Sequence, residues 1–272
     1  MGCCPNLVIS LGSELMAKKL KRIRADELLV SNNLCESRNQ AKTLILAGQV
    51  RMGTERIDKS SRLLPENAQL QVVESLKYVG RGGLKMENFL DESGFKVDDM
   101  HILDIGASTG GFTDCLLQKG ASHATCIDVG HGQLHYRLRI DDRVHNYEKT
   151  NIRNITPKDI PGSPFPFIVA DLSFISLRKV LPFAWPFLTC GGKIATLIKP
   201  QFECKKEEAD LGKGIIRDTQ IHMRVLSEIK DFVSTNFPDS SLVFETKARP
   251  QGTDGNQEYF LAWKKATDSV PD

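Results

Sequence analysis

Several things are missing from this sequence, and each absence closes a class of function. No apolar run approaches the ~20 residues that a spanning helix needs, and the mean hydropathy is -0.25, so a transmembrane protein is not expected. The cysteines Cys3, Cys4, Cys35, Cys115, Cys126, Cys190 and Cys204 are odd in number and form no C-x-x-C pair. They supply neither a disulfide framework nor a zinc ribbon. His131 and His135 stand four apart, but with no H-E-x-x-H pattern or cysteine pair beside them a metal site is not expected. The opening MGCCPNLVISLGSEL lacks a basic n-region and has only a very short apolar stretch, so it fails as a secretory signal. Gly2 begins a myristoylation pattern that Asn6 breaks. Met16 then opens the basic AKKLKRIRADELL and is the expected start, with residues 1–15 an extension outside the folded protein. A reducing cytoplasm is the expected compartment.

Net charge is also nearly missing, with 36 Lys and Arg against 34 Asp and Glu in 272 residues. The balance hides two unlike parts. From Lys18 to Lys85 there are 14 basic and 7 acidic residues, a net of +7, which leaves -5 on the rest. A basic module beside a mildly acidic body suggests that the small part holds a polyanion while the larger part does something else. A solvated charged surface is the plainer reading of the same charge.

In the basic module, RADELLVSNNL carries Leu28, Leu29 and Leu34 around a short helix, and ESRNQAKTLILAGQV follows as a second. Ser37 is a good N-cap, Ala41, Leu44 and Ile45 recur at helical spacing, and Gly48 is a natural stop. Short strands and turns follow in QVRMG, TERIDKSSRLL and AQLQVVE. Arg38 and Lys42 share a helix face, and Arg51, Arg56, Lys59 and Arg62 lie in the turns, a cluster able to track phosphates on folded RNA. The stretch 24–76 resembles the small RNA-binding domain of the fourth small-subunit ribosomal protein, shared with pseudouridine synthases and tyrosyl-tRNA synthetases. That resemblance implies an RNA partner, with Arg24, Arg38, Lys42, Arg51, Arg56 and Arg81 as candidate contacts.

Beyond YVGRGGLKMENFLDESGF, read as a glycine-rich linker running into a helix, strand and helix alternate. The strands are HILDIG, HATCIDVG, RVHNYEK, FPFIVADL and GGKIATLIK. Helices are expected at GFTDCLLQKG, Gln133–Leu138 and Ile221–Phe232, and two late strands at SLVFETKA and EYFLAWK. Apolar strands separated by helical segments imply a parallel sheet covered on both faces. The first turn, DIGASTGGF, has Ser108 where a dinucleotide G-x-G-x-x-G carries its middle glycine. Candidate cofactor residues are Asp104, Gly106, Ala107, Ser108, Gly110, Gly111 and Phe112. Asp104 can receive an amine, and Asp128, 22 residues beyond Gly106, can accept from two ribose hydroxyls. This suits S-adenosylmethionine better than NAD. The plainer alternatives are glycines serving the turn alone and Asp128 capping a helix. Asn151 is placed to meet an adenine edge or to cap a helix.

Asp171 and Lys199 end predicted parallel strands and Glu258 begins a late one. With Lys85 they give the order Lys, Asp, Lys, Glu. This resembles the tetrad of FtsJ-like ribose 2'-O-methyltransferases, and Met16 to Lys265 resembles the TlyA family of rRNA methyltransferases, also called hemolysin A. The resemblance implies an α/β fold. A Rossmann-like S-adenosylmethionine-dependent domain over 87–266 would join an α+β RNA-binding domain over 22–77 through a linker at 78–86. It implies an enzyme acting on ribosomal RNA or ribosomal subunits, with Lys85, Asp171, Lys199 and Glu258 catalytic. A ribose hydroxyl is a poor nucleophile and a sulfonium methyl is already activated, so such an enzyme must align three atoms and manage one proton. Either lysine is open for that proton; Lys199 could orient or deprotonate the hydroxyl if burial and the nearby charge of Lys85 lowered its pKa. Amino-group methylation fits less well, since DLSF stands where its Asn/Asp-Pro-Pro-aromatic motif would be. The segment 200–218 reads as a mobile lid or as a surface insertion. A noncatalytic ribosome-assembly module and a membrane-lytic protein are the alternatives, the second without a basic amphipathic helix to support it.

Overall fold

The computed structural model describes residues 21–46, 48–73, 77–252 and 254–267. The proposed extension at 1–15 and the start at Met16 lie outside the described residues. The chain divides between residues 75 and 76 into two compact units.

The first unit runs β1 (Arg22–Arg24), α1 (Ala25–Ser31), α2 (Arg38–Leu46), β2 (Val50–Met52), β3 (Glu55–Arg56), β4 (Leu63–Pro65) and β5 (Leu70–Val72). Its strands form a β1–β4 pair and a sheet of order β3-β2-β5, all antiparallel. No side chain caps α1. Its first N–H groups are satisfied instead by the carbonyls of Arg62 and Ser60, at 2.8 and 3.1 Å. Ser37 caps α2 by accepting the Gln40 N–H. That helix ends at Gly48 with φ +71°, where the Gly48 and Gln49 N–H groups reach back to Ile45 and Leu44, the Schellman arrangement. Leu28, Leu29, Ala41, Ile45, Val50 and Leu64 fill the core between helices and strands.

The second unit runs α3 (Gly82–Ser93), β6 (His101–Ile105), α4 (Gly111–Gln118), β7 (His123–Ile127), α5 (Tyr136–Arg139), β8 (Val144–Tyr147), β9 (Phe165–Ala170), α6 (Leu181–Ala184), β10 (Leu188–Ile198), α7 (Pro200–Glu203), α8 (Lys206–Leu211), α9 (Thr219–Asn236), β11 (Ser240–Lys247) and β12 (Tyr259–Lys265). The sheet order is β11-β12-β10-β9-β6-β7-β8. Strands β6 to β10 are mutually parallel, β12 runs antiparallel to them, and β11, antiparallel to β12, closes that edge. Both faces are covered. Leu103 and Ile105 of β6 join one core with Val225, Leu226, Ile229 and Val233 of α9. Ile102 joins the other with Met86, Phe89 and Leu116 of α3 and α4. The chain leaves β6 for β7 on one side and returns to β9 on the other, so the topological switch, where ligands of such sheets bind, lies beyond the ends of β6 and β9.

Two expectations need correction. Residues 78–86 are not an open linker. Tyr78 is 2% exposed within the α3–α4 core, the Val79 N–H donates to Asp114 at 2.7 Å, and α3 begins at Gly82. A Cβ on Gly83 would stand 2.3 Å from the Tyr78 side chain, so glycine there serves close packing. The helix expected at Gln133–Leu138 starts instead at Tyr136, with His135 as its cap. No helix among the described residues is long and apolar enough to cross a membrane.

Candidate active site

The turn after β6 is held by two hydrogen bonds to neighbouring strands. The Gly106 N–H donates to Ile127 at 2.8 Å and the Asp171 N–H to Ile105 at 3.1 Å. Gly106 has φ +82°, and a Cβ there would lie 2.5 Å from the Asp171 carbonyl oxygen. Conformation and space both demand glycine at this position. Ser108, which stands where a dinucleotide motif has glycine, also adopts positive φ, at +48°, and its N–H donates to Asp128 Oδ2 at 2.8 Å. Asp128 Oδ1 accepts the Gly130 N–H at 2.7 Å. Asp128 therefore ties two turns together with one lone pair on each oxygen, rather than capping the next helix. Asn151 Oδ1 accepts the Arg153 N–H at 3.0 Å, so it does cap, while also lining a cavity with Asp128.

Asp104 is 1% exposed. Its Oδ2 accepts from the Thr113 N–H at 3.2 Å and hydroxyl at 2.7 Å. Its Oδ1 is buried without a hydrogen-bond partner. Burial pushes this carboxyl up to about 7, with the charges of Asp171 and Asp128 adding to the effect and the Thr113 bonds opposing it.

Two cavities meet at Gly106 and Ser173. One, of about 160 Å³, is lined by Asp104, the glycine-rich turn, Asp171 and Lys199. The other, of about 190 Å³, is more apolar, with Ile127, Ile152, Leu172 and Ile175 around Asp128 and Asn151. An acidic compartment and an apolar one, joined at Gly106, which admits no side chain, suit a ligand with a cationic end and a planar end. Of the expected cofactor residues, Asp104, Gly106, Ala107, Ser108, Gly111 and Phe112 line the first cavity. Gly110, with φ +89°, packs under Leu138 and Leu134.

The four polar candidates resolve into two ion pairs. Lys199 Nζ lies 2.6 Å from Asp171 Oδ1 and donates to Ser173 Oγ at 3.0 Å. Lys85 on α3 pairs with Glu258, both side chains buried. Ile198 and Tyr259 are partners across β10 and β12, so Lys199 and Glu258 occupy adjoining strand ends. Asp171 follows β9 next door. The Lys199–Asp171 pair lines the acidic cavity, and Lys85 and Glu258 do not.

Further residues escape a reading of the sequence. Ser173 touches both cavities. Phe174 is 90% exposed with φ +63°, and its ring meets that of Phe202 at 5.1 Å. Glu203, buried four residues past Lys199, accepts from the Leu177 N–H at 2.5 Å and the Ser176 hydroxyl at 2.6 Å. It thereby fastens α7 to the loop that starts at Asp171. The far end of the expected lid is fastened too. Asn256 accepts the Ile216 N–H and donates to the Gly214 carbonyl, both at 2.9 Å, and α8 lies between these anchors.

A model of the FtsJ-like methyltransferase family matches residues 78–265, and a model of the S4 domain matches residues 23–70. The chain belongs to the FtsJ-like methyltransferase family. Membership implies use of S-adenosylmethionine, and the residues present fit it: the orphaned Asp104 oxygen meets the need of an ammonium, and the apolar cavity beside Asp128 and Asn151 meets that of an adenosine. TlyA of Mycobacterium tuberculosis, a 16S/23S rRNA (cytidine-2'-O)-methyltransferase, is 39% identical over 252 residues, covering 91% of this chain and 92% of its own. YqxC of Bacillus subtilis, named as a candidate rRNA methyltransferase, is 42% identical over 243 residues, 89% of this chain and 85% of its own. A solved structure of a candidate hemolysin from Streptococcus thermophilus matches with TM-score 0.68 and 38% identity, covering 93% of this chain and 92% of that one.

In this FtsJ-like methyltransferase the basic residues of the S4 unit divide into two groups. Arg24 forks onto Asp26 at 2.9 and 3.0 Å, and Arg38 reaches Asp26 and Glu27, each at 3.1 Å. Asp26 is fully buried, and its hydrogen bond from Arg24 holds its carboxyl below the usual range. These two arginines stabilise the fold, which lessens their availability for phosphates. Lys42 and Arg51 have no ion pair among the described residues, and Arg51 faces Arg56 across β2 and β3. Like charges directly opposite are unfavourable without an anion, and Lys42, Arg51 and Arg56 are all exposed. Arg62, by contrast, pairs with Glu55 at 2.9 Å. Arg81, in the second unit, donates to the Gln251 carbonyl at 3.1 Å.

Proposed function

We propose that this FtsJ-like methyltransferase transfers the methyl group of S-adenosylmethionine to a ribose 2'-hydroxyl of ribosomal RNA. The observation that carries the reading is the Lys199–Asp171 pair lining the same cavity as the orphaned carboxylate oxygen of Asp104. When bound, S-adenosylmethionine supplies a methyl already activated on a sulfonium. Asp104 and the turn from Gly106 to Gly111 hold its amino-acid end, and Asp128 with Asn151 its adenosine end. What remains for the protein is to align the hydroxyl oxygen and take up one proton. Lys199 Nζ, fixed by Asp171 and Ser173, orients that oxygen, and as it gives one of its own protons to the Asp171 carboxylate it takes over the hydroxyl proton, which leaves Lys199 cationic and Asp171 protonated. The buried Lys85–Glu258 pair ties α3 to the start of the neighbouring strand β12. Phe174, exposed next to this loop, offers a ring against which the base of the target nucleotide rests.

The substrate reading draws on the S4 match, on the exposed cations Lys42, Arg51 and Arg56, and on the TlyA relative named as an rRNA methyltransferase. The test is transfer of tritiated methyl into ribosomal subunits lacking the modification. Lys199→Ala is the variant of choice, because removing Lys85 strands a buried Glu258 and costs about 3–5 kcal/mol of stability. Transfer is expected to fall below detection in Lys199→Ala while S-adenosylmethionine still binds in calorimetry. Undiminished transfer removes the assigned role.

A further inference from the structure

We propose that the outer face of α5 is a contact for single-stranded RNA on the methyltransferase unit, gripping unpaired nucleotides that flank the target ribose. The proposal rests on the rRNA reading above and adds a surface to it.

The helix is a single turn with two different sides. Its inner side is locked to the glycine-rich turn: Leu134 and Leu138 are buried, and a Cβ on Gly110 would come within 2.2 Å of Leu138 and 2.8 Å of Leu134. The His135 N–H donates to the Thr109 carbonyl at 3.2 Å, and Thr109 lines the acidic cavity. His135 Nδ1 accepts the Arg137 N–H at 3.2 Å, which fixes the start of the turn. The outer side is therefore held rigidly at the rim of the site.

That outer side carries Tyr136, 70% exposed, with Arg137 and Arg139 exposed beside it. Neither arginine has an ion pair among the described residues. A carboxylate partner would be easy to find, since the residues outside Lys18–Lys85 carry 27 acids against 22 bases. The acids that follow in sequence are used elsewhere: Asp141 is held by Arg143 at 2.8 Å, and Glu148 by His131 at 2.7 Å. Asp142 remains exposed and offsets one charge. Two unpaired guanidiniums around an exposed phenol match an unpaired nucleic-acid strand, whose bases stack on the ring while its phosphates meet the arginines. An acidic body needs such a local positive surface to bring RNA to its cavity.

The full-length protein is tested with a fluorescein-labelled, unstructured 20-nucleotide pyrimidine RNA by anisotropy over a salt series, with S-adenosylmethionine calorimetry on every variant. Tyr136→Ala is expected to weaken RNA binding about 5-fold or more, as loss of one base stack does, and Tyr136→Phe to leave it unchanged. Arg137→Ala with Arg139→Ala is expected to flatten the slope of log K against log salt by about 1.4, two phosphates' worth on a single strand. Cofactor affinity is expected to stay the same throughout. Wild-type affinity and slope in all variants overturn the proposal. So do variants that bind the oligonucleotide normally yet lose binding to intact ribosomal subunits, which would assign the face to a protein. Absence of methyl transfer to rRNA by the wild type would instead overturn the parent reading, a result independent of the anisotropy.

Discussion

Binding of S-adenosylmethionine at pH 6 is expected to expel close to one proton from the protein, and Asp104→Asn is expected to abolish that release. Asp104 sits buried with Oδ1 unpartnered and its carboxyl pushed up to about 7. At pH 6 about 90% of such a group is protonated, at pH 7 about half and at pH 8 about 10%. An ammonium brought against Oδ1 favours the carboxylate and drives the proton off. At pH 6 the amine of the cofactor is itself fully cationic, so the release belongs to the protein. The assay is titration calorimetry in phosphate and in Tris, whose ionisation heats differ widely, at pH 6 and pH 8. The heats should differ between buffers by roughly 0.9 of the difference in ionisation enthalpy at pH 6 and by roughly 0.1 at pH 8. Stability carries the same signature. Because the folded carboxyl titrates above its unfolded value, its favourable contribution is complete below about pH 4 and is lost as pH rises through 7. Asp104→Asn should thus stabilise the protein without cofactor at pH 8 by up to roughly 4 kcal/mol, and little at pH 4. Equal heats in both buffers at pH 6, or proton release persisting in Asp104→Asn, would refute the reasoning.

Gly106→Ala combines positive φ with a Cβ 2.5 Å from the Asp171 carbonyl. It is expected to lower the melting temperature by several degrees and abolish calorimetric binding of S-adenosylmethionine; unchanged binding would contradict the cradle. Glu203→Ala leaves the Leu177 N–H and the Ser176 hydroxyl without their acceptor, at a cost of about 2–4 kcal/mol. Methyl transfer should drop at least tenfold with cofactor affinity within twofold, and Glu203→Gln should restore most of it; an active, stable alanine variant would show the anchor to be idle. At the opposite end of the sheet, burial, with help from neighbouring His123 and His145, lowers the pKa of His101. Its stabilising contribution is then present above about pH 6.5 and lost as pH falls below it. Urea unfolding from pH 7.5 to 5 should show a shallower loss in His101→Gln than in the wild type, and parallel curves would remove His101 as the cause.

The parallel sheet was readable because its strands are near-continuous apolar runs separated by helical stretches, the pattern of strands buried on both faces. The glycine-rich turn was readable because positive φ and close approach select glycine. Other features depend on partners distant in sequence. Nothing local in YVGRGGLK shows that Tyr78 will fill the groove over Gly83, so a folded segment looks like a linker. The glycines that suggest flexibility are there to admit a ring. Arg24 and Arg38 look like phosphate ligands until Asp26 is found buried between them. Glu203 reads as one more charge in PQFECKKEE, and only the fold brings Ser176 and Leu177 to it. The Lys-Asp-Lys-Glu order was visible, whereas its division into Lys199–Asp171 at the cavity and Lys85–Glu258 apart from its lining required the strand register.

The central claim is tested most directly by mapping 2'-O-methyl groups, nucleotide by nucleotide, on ribosomal subunits incubated with S-adenosylmethionine and either the wild-type protein or Lys199→Ala. The account predicts at least one ribose position methylated by the wild type and left bare by the variant. Methyl groups found only on bases, or no new methylation in either subunit, would contradict it.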